Sequence, residues 1–212
     1  RIELMMIPSD GPGDYGNPGA HPRQLEISET FEAGDTRIIA CVGANRSGKT
    51  VGLWGMCFAR HLRDRARSGD LYWCIAPDFT KLKQGPHKWL WDYMPHERFG
   101  KRVYTESNGF GINPILPVET SDGGRCAVVF KTEEQSLESF ESDAVNGIAW
   151  TECSRESIFD AVLPRLVDKR GFLLLDYIPS KAWLKYRIHS ADLSGRDGGM
   201  RGKAYRFAMR DH

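Results

Sequence analysis

The chain contains 212 residues, of which 41% are hydrophobic and 27% are charged, and its formal net charge is +1 at pH 7. A chain of this length buries a core without structural staples, and its 5 cysteines form no C-x-x-C pair that would indicate a zinc site. The near-neutral charge excludes a general basic field for nucleic acid, no apolar run approaches the ~18 residues of a membrane span, and no signal peptide is recognisable.

The apolar runs and turn residues, taken in chain order, predict alternating strands and helices. Pro and Gly cluster in the first part of the chain, so we expect an irregular lead-in over 1–22, followed by a turn or short helix over 23–32. Core strands are expected at 37–42, 71–76, 126–130, 147–150 and 171–177, and a last strand at 203–209. Helices are expected at 51–62, 79–94, 158–167 and 179–189, with a strand pair or an insertion within 95–125. This order predicts an α/β fold with a mostly parallel sheet and helices on both faces.

Between the first strand and the following helix, residues 43–50 read GANRSGKT. They fit the phosphate-loop pattern G-x-x-x-x-G-K-[ST], in the strand-to-helix context that the pattern requires. In such a loop backbone N–H groups bind phosphate, while Lys49 reaches the β- and γ-phosphates and Thr50 places its hydroxyl on Mg²⁺. Phosphate contacts are expected from Gly43, Ala44, Asn45, Arg46, Ser47, Gly48, Lys49, Thr50 and Val51. The sequence thus predicts a P-loop NTPase of the RecA/ASCE type with ATP and Mg²⁺ as cofactors.

The strand at 147–150 ends on Thr151 and Glu152, where nucleotide hydrolases usually carry Asp-Glu. Glu152 is predicted to be the catalytic carboxylate that orients or deprotonates the attacking water. Thr151 lacks the charge of Asp, but its hydroxyl can hold a magnesium-bound water, so both residues are expected to meet the metal through water. Asp143 is a candidate for the missing carboxylate. The alternative for Glu152 is that it only caps the start of a helix.

Arg46 is a bulky cation inside a loop that brings backbone close to phosphate. Its guanidinium can bond the γ-phosphate or tether Glu152, which would make it part of the catalytic machinery with Lys49 and Glu152. A structural tether of the loop is the alternative.

This Arg-bearing loop resembles that of the ATPase domain of the large terminase subunit of tailed bacteriophages, the motor that packs DNA into proheads. Three further segments are similar to that family: His21–Leu25, the approach to Glu152 over 140–152, and the run from 163 to 183. Two residues depart from its pattern, because Thr151 stands where the family has Asp, and Ile178 stands where it has Thr or Ser.

The resemblance implies roles for residues outside the phosphate loop. Arg23 and Gln24 would form the adenine-reading segment. The coupling motif, which links the ATP state to DNA movement, would be formed by Tyr177, Ile178, Pro179 and Ser180. A packaging ring would also use an arginine finger from a neighbouring subunit, for which Arg155 and Arg165 are candidates.

The resemblance further implies ATP hydrolysis coupled to translocation of double-stranded DNA in the host cell cytoplasm, with no membrane. The partners would be the DNA, the portal protein, the small terminase subunit and further copies of the chain in a ring, whereas a lone domain can be monomeric. The family's nuclease domain normally follows, and nothing in this sequence matches it. We therefore expect residues 23–212 to be the ATPase domain alone.

Three other functions stay open on the residues alone. A helicase-like ATPase would need a second RecA-like lobe. A small-molecule kinase would need a lid and an acceptor-site carboxylate. A nucleotide-binding scaffold without hydrolysis is compatible with the missing Asp at position 151, although Glu152 in register argues against it.

Overall fold

The chain folds around one seven-stranded sheet, in a computed structural model that describes residues 22–43, 48–99, 109–110, 114–178, 182–190 and 202–207. Its strands are β1 (Ile38–Gly43), β2 (Leu71–Ala76), β3 (Ile115–Glu119), β4 (Arg125–Thr132), β5 (Gly147–Trp150), β6 (Phe172–Tyr177) and β7 (Gly202–Phe207). Its helices are α1 (Pro22–Ala33), α2 (Val51–Ala59 and Arg60–Asp64), α3 (Phe79–Leu82, Lys83–His87 and Lys88–Tyr93), α4 (Glu156–Arg165) and α5 (Ala182–Leu184 and Lys185–Ser190). The first segment of α2, the middle segment of α3 and the second segment of α5 are wound as π-helices, and short 3₁₀ turns lie at His96–Arg98 and Leu137–Phe140.

The strands lie in the order β3-β4-β2-β5-β6-β1-β7. Every neighbouring pair is parallel except β3 and β4, which are antiparallel. The strands β1, β5 and β6 are buried along their whole length, as near-continuous apolar strands are when helices cover both faces of a parallel sheet. Because these three strands are neighbours and parallel, their carboxyl ends meet at one edge of the sheet, which we call the carboxyl edge. The opposite edge is the amino edge.

Helices cover the sheet on both faces. The helices α1, α2 and α3 supply Ile27, Phe58 and Leu90 to the core cluster on one face, and α4 and α5 supply Phe159 and Ile188 to the cluster on the other. The predicted α/β fold with a mostly parallel sheet and helices on both faces is therefore confirmed.

The antiparallel edge of the sheet lies where the sequence predicted a strand pair or an insertion. In β4 every second side chain is buried. This alternation is typical of a strand that is covered less completely on one face than β1 or β6. The segment 23–32, predicted as a turn or a short helix, is the 12-residue helix α1. The lead-in over 1–21 and the end of the last predicted strand lie outside the described residues.

All five cysteines, Cys41, Cys57, Cys74, Cys126 and Cys153, are free and buried. Burial raises the pKa of each of these thiols above its usual value. Within the described ranges, no helix combines the length and the apolar character needed to cross a membrane.

Candidate nucleotide site

The carboxyl edge of the sheet brings together residues that are far apart in sequence. Register along the ladders places Trp150 of β5 beside Leu175 of β6, and Cys41 of β1 beside Asp176 of β6. The phosphate loop leaves β1 at Gly43, two residues beyond Cys41. The end of β6 therefore lies between the phosphate loop and the segment that carries Glu152.

Lys49 lies in the turn that enters α2, and its side chain is buried. Its Nζ donates a hydrogen bond to the carbonyl oxygen of Gly43 at 2.7 Å. Burial lowers the pKa of Lys49, and the negative charges of Asp176 and Glu152 oppose that shift. The ammonium group thus lies at the end of β1, within electrostatic range of two carboxylates.

Asp176 is a site residue that the sequence reasoning missed. It is the only charged residue of β6, its exposed fraction is 5%, and it lies on the same face of the sheet as α2, since Leu174 and Cys41 belong to that core cluster. Its Oδ1 accepts hydrogen bonds from the Thr151 hydroxyl at 3.3 Å and from the Glu152 N–H at 3.1 Å. Its Oδ2 is buried and has no hydrogen-bond partner among the described residues.

The charge of Asp176 is disfavoured by its surroundings. Burial raises the pKa of its carboxyl group above the usual value, and the charge of Glu152 acts in the same direction. The hydrogen bonds from the Glu152 N–H and from Thr151, together with the charge of Lys49, oppose that shift. A detectable signal was present in the sequence, because an Asp that directly follows the apolar residues FLLL must be buried if the segment FLLLDY is a central strand.

Glu152 follows β5 directly, at the predicted position. Its backbone φ is +51°, in the left-handed region that residues with a Cβ rarely occupy. Its Oε1 accepts a hydrogen bond at 3.0 Å from Nζ of Lys81, a residue of α3. Thr151 is buried beside it. Strained backbone of this kind concentrates at functional sites, and here it turns the Glu152 carboxylate away from the strand.

Glu133, the second carboxylate that the sequence reasoning missed, braces the segment after β5. It follows β4 and is buried. Its Oε1 accepts hydrogen bonds from Nε1 of Trp150 at 2.8 Å and from the Ser154 N–H at 2.9 Å, and its Oε2 accepts one from the Ser154 hydroxyl. These bonds fix the backbone on both sides of Thr151 and Glu152.

Gln24, which the family resemblance implied as a base reader, packs against the phosphate loop. Its Nε2 donates to the Gly48 carbonyl oxygen at 2.9 Å, and a Cβ at Gly48 would lie 2.9 Å from the same Nε2. Gly48 also has a φ of +84°, so its backbone conformation favours glycine there. Arg23 is exposed and pairs with Glu26 at 2.5 Å. The adenine-reading role of both residues stays a prediction.

The other predicted residues of the phosphate loop and the coupling motif divide between described and undescribed parts of the chain. Thr50 and Val51 are half-buried at the start of α2. In the coupling segment, Tyr177 is buried and Ile178 is exposed. The residues Ala44, Asn45, Arg46, Ser47, Pro179 and Ser180 lie outside the described residues, so their roles stay predictions.

Asp143 and Arg165 are not brought together with the phosphate loop. Arg165 donates from Nη1 to the Glu141 carbonyl oxygen at 2.9 Å, and its own carbonyl oxygen accepts from the Val145 N–H at 2.9 Å. Asp143 lies between Glu141 and Val145, and β5 begins only at Gly147, so both predicted residues lie at the amino edge. The distance across the sheet separates them from Lys49.

Arg155 lies at the carboxyl edge, directly before α4, and its side chain is exposed. Its Nη1 donates to the carbonyl oxygen of Glu133, which anchors it beside the segment that carries Glu152. Its role as a finger for a neighbouring subunit stays a prediction.

The described residues contain no group of three or more His, Cys, Asp or Glu side chains arranged to hold a metal ion. Mg²⁺ does not need such a cage, since it retains several waters and binds through one or two carboxylates together with substrate phosphates. Thr50, Glu152 and the unpaired Oδ2 of Asp176 supply hard oxygen donors of the type that Mg²⁺ prefers. The residues present therefore fit this ion.

Comparison of the sequence with models of protein families and with curated proteins finds no match. Among solved structures, the large terminase of a thermophilic bacteriophage matches with a TM-score of 0.67 and 15% identity over 90% of this chain and 46% of that chain. A mutant of the ATPase domain of the Thermus phage P74-26 large terminase matches with a TM-score of 0.59 and 13% identity over 90% of this chain and 81% of that chain. The HK97 bacteriophage large terminase matches with a TM-score of 0.60 and 16% identity over 88% of this chain and 39% of that chain.

The first of these terminases has also been solved in complex with ADP and with ATP-γ-S. This chain spans less than half the length of that terminase and of the HK97 protein. The likeness at such low identity concerns the backbone, and it covers about nine-tenths of the chain. The fold that the sequence resemblance implied is thus confirmed: this chain has the fold of the ATPase domain of phage large terminases.

Proposed function

We propose that the chain is an ATP-hydrolysing motor domain that powers the translocation of double-stranded viral DNA into a prohead. The observation that carries this proposal is the convergence of Lys49, Glu152 and Asp176 at the carboxyl edge, in a fold shared with terminase ATPase domains. Ligands of open α/β sheets bind at that edge. The ADP and ATP-γ-S complexes of a structural neighbour support ATP as the ligand.

In this proposal the phosphate loop binds the triphosphate through backbone N–H groups and through Lys49. Lys49, whose Nζ lies 2.7 Å from the Gly43 carbonyl oxygen, stabilises the negative charge that develops on the transferred phosphoryl group. Arg46 adds a second cation to the same loop. Preorganised charge of this kind is the main source of catalysis in phosphoryl transfer.

The role of Glu152 is to orient or deprotonate the water that attacks the γ-phosphate. Its carboxylate lies beyond the end of β5 and is half-exposed, so it can accept a hydrogen bond from a water that lies in line with the γ-phosphate. Lys81 donates to Oε1 of Glu152 at 3.0 Å, and a carboxylate can accept further hydrogen bonds on both of its oxygens. Thr50 and the nearby carboxylates would hold Mg²⁺, which would supply positive charge beside the β- and γ-phosphates.

The test is ATP hydrolysis by the chain with Mg²⁺, with and without linear duplex DNA. Glu152→Gln should abolish turnover and Arg46→Ala should strongly reduce it, while Glu134→Gln, which changes an exposed carboxylate after β4, should not alter it. Stimulation by duplex DNA supports the motor. Stimulation by single strands alone supports a helicase-like ATPase, and phosphate transfer to a small acceptor supports a kinase.

The DNA, the portal protein, the small terminase subunit and a ring of copies are proposed partners of the working motor in the host cytoplasm. A ring supplies what one copy lacks, since an arginine from a neighbour such as Arg155 would reach the γ-phosphate only across a subunit boundary. Mixing Glu152→Gln chains with Arg155→Ala chains tests this directly. Recovery of DNA-stimulated turnover in the mixture requires that one copy completes the site of another.

A further inference from the structure

The nucleotide site lacks one negative charge at its usual place. Thr151 ends β5 where a nucleotide hydrolase normally has Asp, and its hydroxyl is uncharged. The candidate that the sequence offered, Asp143, lies at the amino edge of the sheet. A metal shell built on β5 alone would therefore have no acidic residue beside Glu152.

The missing charge is present one strand away. Trp150 pairs with Leu175, so the next residues along the two strands, Thr151 and Asp176, lie side by side across the ladder. Their side chains are joined by the hydrogen bond from the Thr151 hydroxyl to Oδ1 of Asp176 at 3.3 Å. The carboxylate of Asp176 thus lies within hydrogen-bonding distance of the side chain at position 151.

The bonding of Asp176 leaves one oxygen without a partner. Oδ1 is satisfied by Thr151 and by the Glu152 N–H, whereas Oδ2 is buried and has no hydrogen-bond partner among the described residues. A buried carboxylate oxygen without a donor is strongly unfavourable unless a cation or a bound water compensates it. Lys49 contributes charge, but its Nζ already donates to Gly43.

We propose that Asp176 supplies the acidic group of the magnesium shell, so that the carboxylate has moved from the end of β5 to the end of β6. Thr151 keeps a supporting role, since its hydroxyl donates to Oδ1 and leaves Oδ2 available for the hydrated ion. Buried on the α2 face of the sheet, Asp176 is on the same side as Thr50, the other expected metal ligand. This inference rests on the proposed ATPase function and names a further residue of the same site.

The test measures metal binding separately from ATP hydrolysis. Mn²⁺ replaces Mg²⁺ as the probe, and its affinity for the ATP-γ-S complex of the chain is measured by electron paramagnetic resonance. Asp176→Asn keeps an oxygen for the Thr151 and Glu152 bonds and removes the charge, so it should weaken Mn²⁺ binding by about 10- to 100-fold. The affinity for ATP-γ-S in EDTA should change by less than about twofold, since no metal is bound there.

Two further variants separate this role from a structural one. The exchange Thr151→Asp with Asp176→Thr returns the carboxylate to β5 and should recover most of the Mn²⁺ affinity. Glu134→Gln, a change at an exposed carboxylate after β4, should leave Mn²⁺ affinity unchanged. Melting temperatures of all variants are measured in parallel, and the exchange variant tests the idea even where Asp176→Asn folds poorly.

The outcomes distinguish the two proposals. Unchanged Mn²⁺ affinity in Asp176→Asn, or an equal loss of ATP-γ-S affinity with and without metal, overturns the role of Asp176 and makes it a structural partner of Lys49. If the wild-type chain binds no ATP-γ-S under any condition, the ATPase function itself fails, and the inference fails with it.

Discussion

The backbone of Glu152 allows a test in which two substitutions remove the same side chain and differ only in conformation. Glu152 has a φ of +51°, and its carboxylate pairs with Lys81 at 3.0 Å. Glu152→Ala and Glu152→Gly both remove the carboxylate and this ion pair, and both should abolish hydrolysis. Any difference in stability between them therefore reports the conformation at this one residue.

The sign and size of that difference follow from two opposing effects. The left-handed conformation costs a residue with a Cβ about 1–2 kcal/mol, and the greater freedom of glycine in the unfolded chain offsets about 0.5–1 kcal/mol. Glu152→Gly should consequently be more stable than Glu152→Ala by about 0.5–1 kcal/mol, which corresponds to roughly 1–4 °C in melting temperature for a domain of this size. Urea titrations with equal m-values provide the free energies of unfolding.

Two other positions serve as controls, one where glycine should be more stable than alanine and one where alanine should be more stable than glycine. Arg170 has a φ of +50° and should show the same preference for Gly over Ala. Ala161 lies within α4, where Ala161→Gly should lower the free energy of unfolding by about 1 kcal/mol. If Glu152→Ala proves as stable as Glu152→Gly while both controls behave as expected, the left-handed conformation of residue 152 is not the one the folded chain adopts in solution.

Three further predictions concern other contacts of the chain. Gly48→Ala should destabilise the chain by ~1–3 kcal/mol, because the φ of +84° strains any residue with a Cβ. It should also lower ATP-γ-S affinity at least about tenfold, because the strained residue lies in the phosphate loop; urea and binding titrations measure the two effects. Lys81→Ala should change the free energy of unfolding by less than about 1 kcal/mol, since its pair with Glu152 is 48% and 35% exposed, and a larger loss in the same titration would contradict this. Burial and, to a smaller extent, the charge of Arg65 lower the pKa of His61 from 6.5 to about 4. Between pH 6.5 and 4 the imidazole is therefore protonated in the unfolded chain but neutral in the folded chain. The free energy of unfolding should consequently fall by up to about 3 kcal/mol as the pH drops from 6.5 to 4. His61→Gln should flatten that part of the pH profile of unfolding, and an unchanged slope would exclude His61 as its source.

The fold was largely predictable because its strongest signals are local. The strands β1, β2, β5 and β6 are continuous apolar runs, and the phosphate loop follows the first of them, so a parallel sheet with its ligand at the carboxyl ends was the expected result. The helix α1 was harder to predict, since its sequence mixes polar and apolar residues and it is fixed by packing on α2.

Only those parts of the candidate site that lie within one continuous segment of the sequence could be predicted. Glu152 follows β5, and Lys49 lies in the phosphate loop after β1; both were predicted from their motifs, and their catalytic roles stay predictions. Asp176 and Glu133 were missed because their nearness to Glu152 depends on the strand order β4-β2-β5-β6-β1; the acidic residue within the apolar segment of β6 was the one local signal. Asp143 was proposed for its nearness to Glu152 in sequence, and the crossover from β4 to β5 carries it to the amino edge instead.

The burial of every cysteine gives the protein a practical property. Thiols with no solvent access and a raised pKa react slowly with maleimides, so the native chain has few competing sites for labelling. A single Ser157→Cys substitution, at an exposed position of α4, would therefore accept a fluorophore close to Glu152 without a cysteine-free background. Movements of this segment during each ATP cycle then become observable by single-molecule fluorescence in the otherwise unaltered protein.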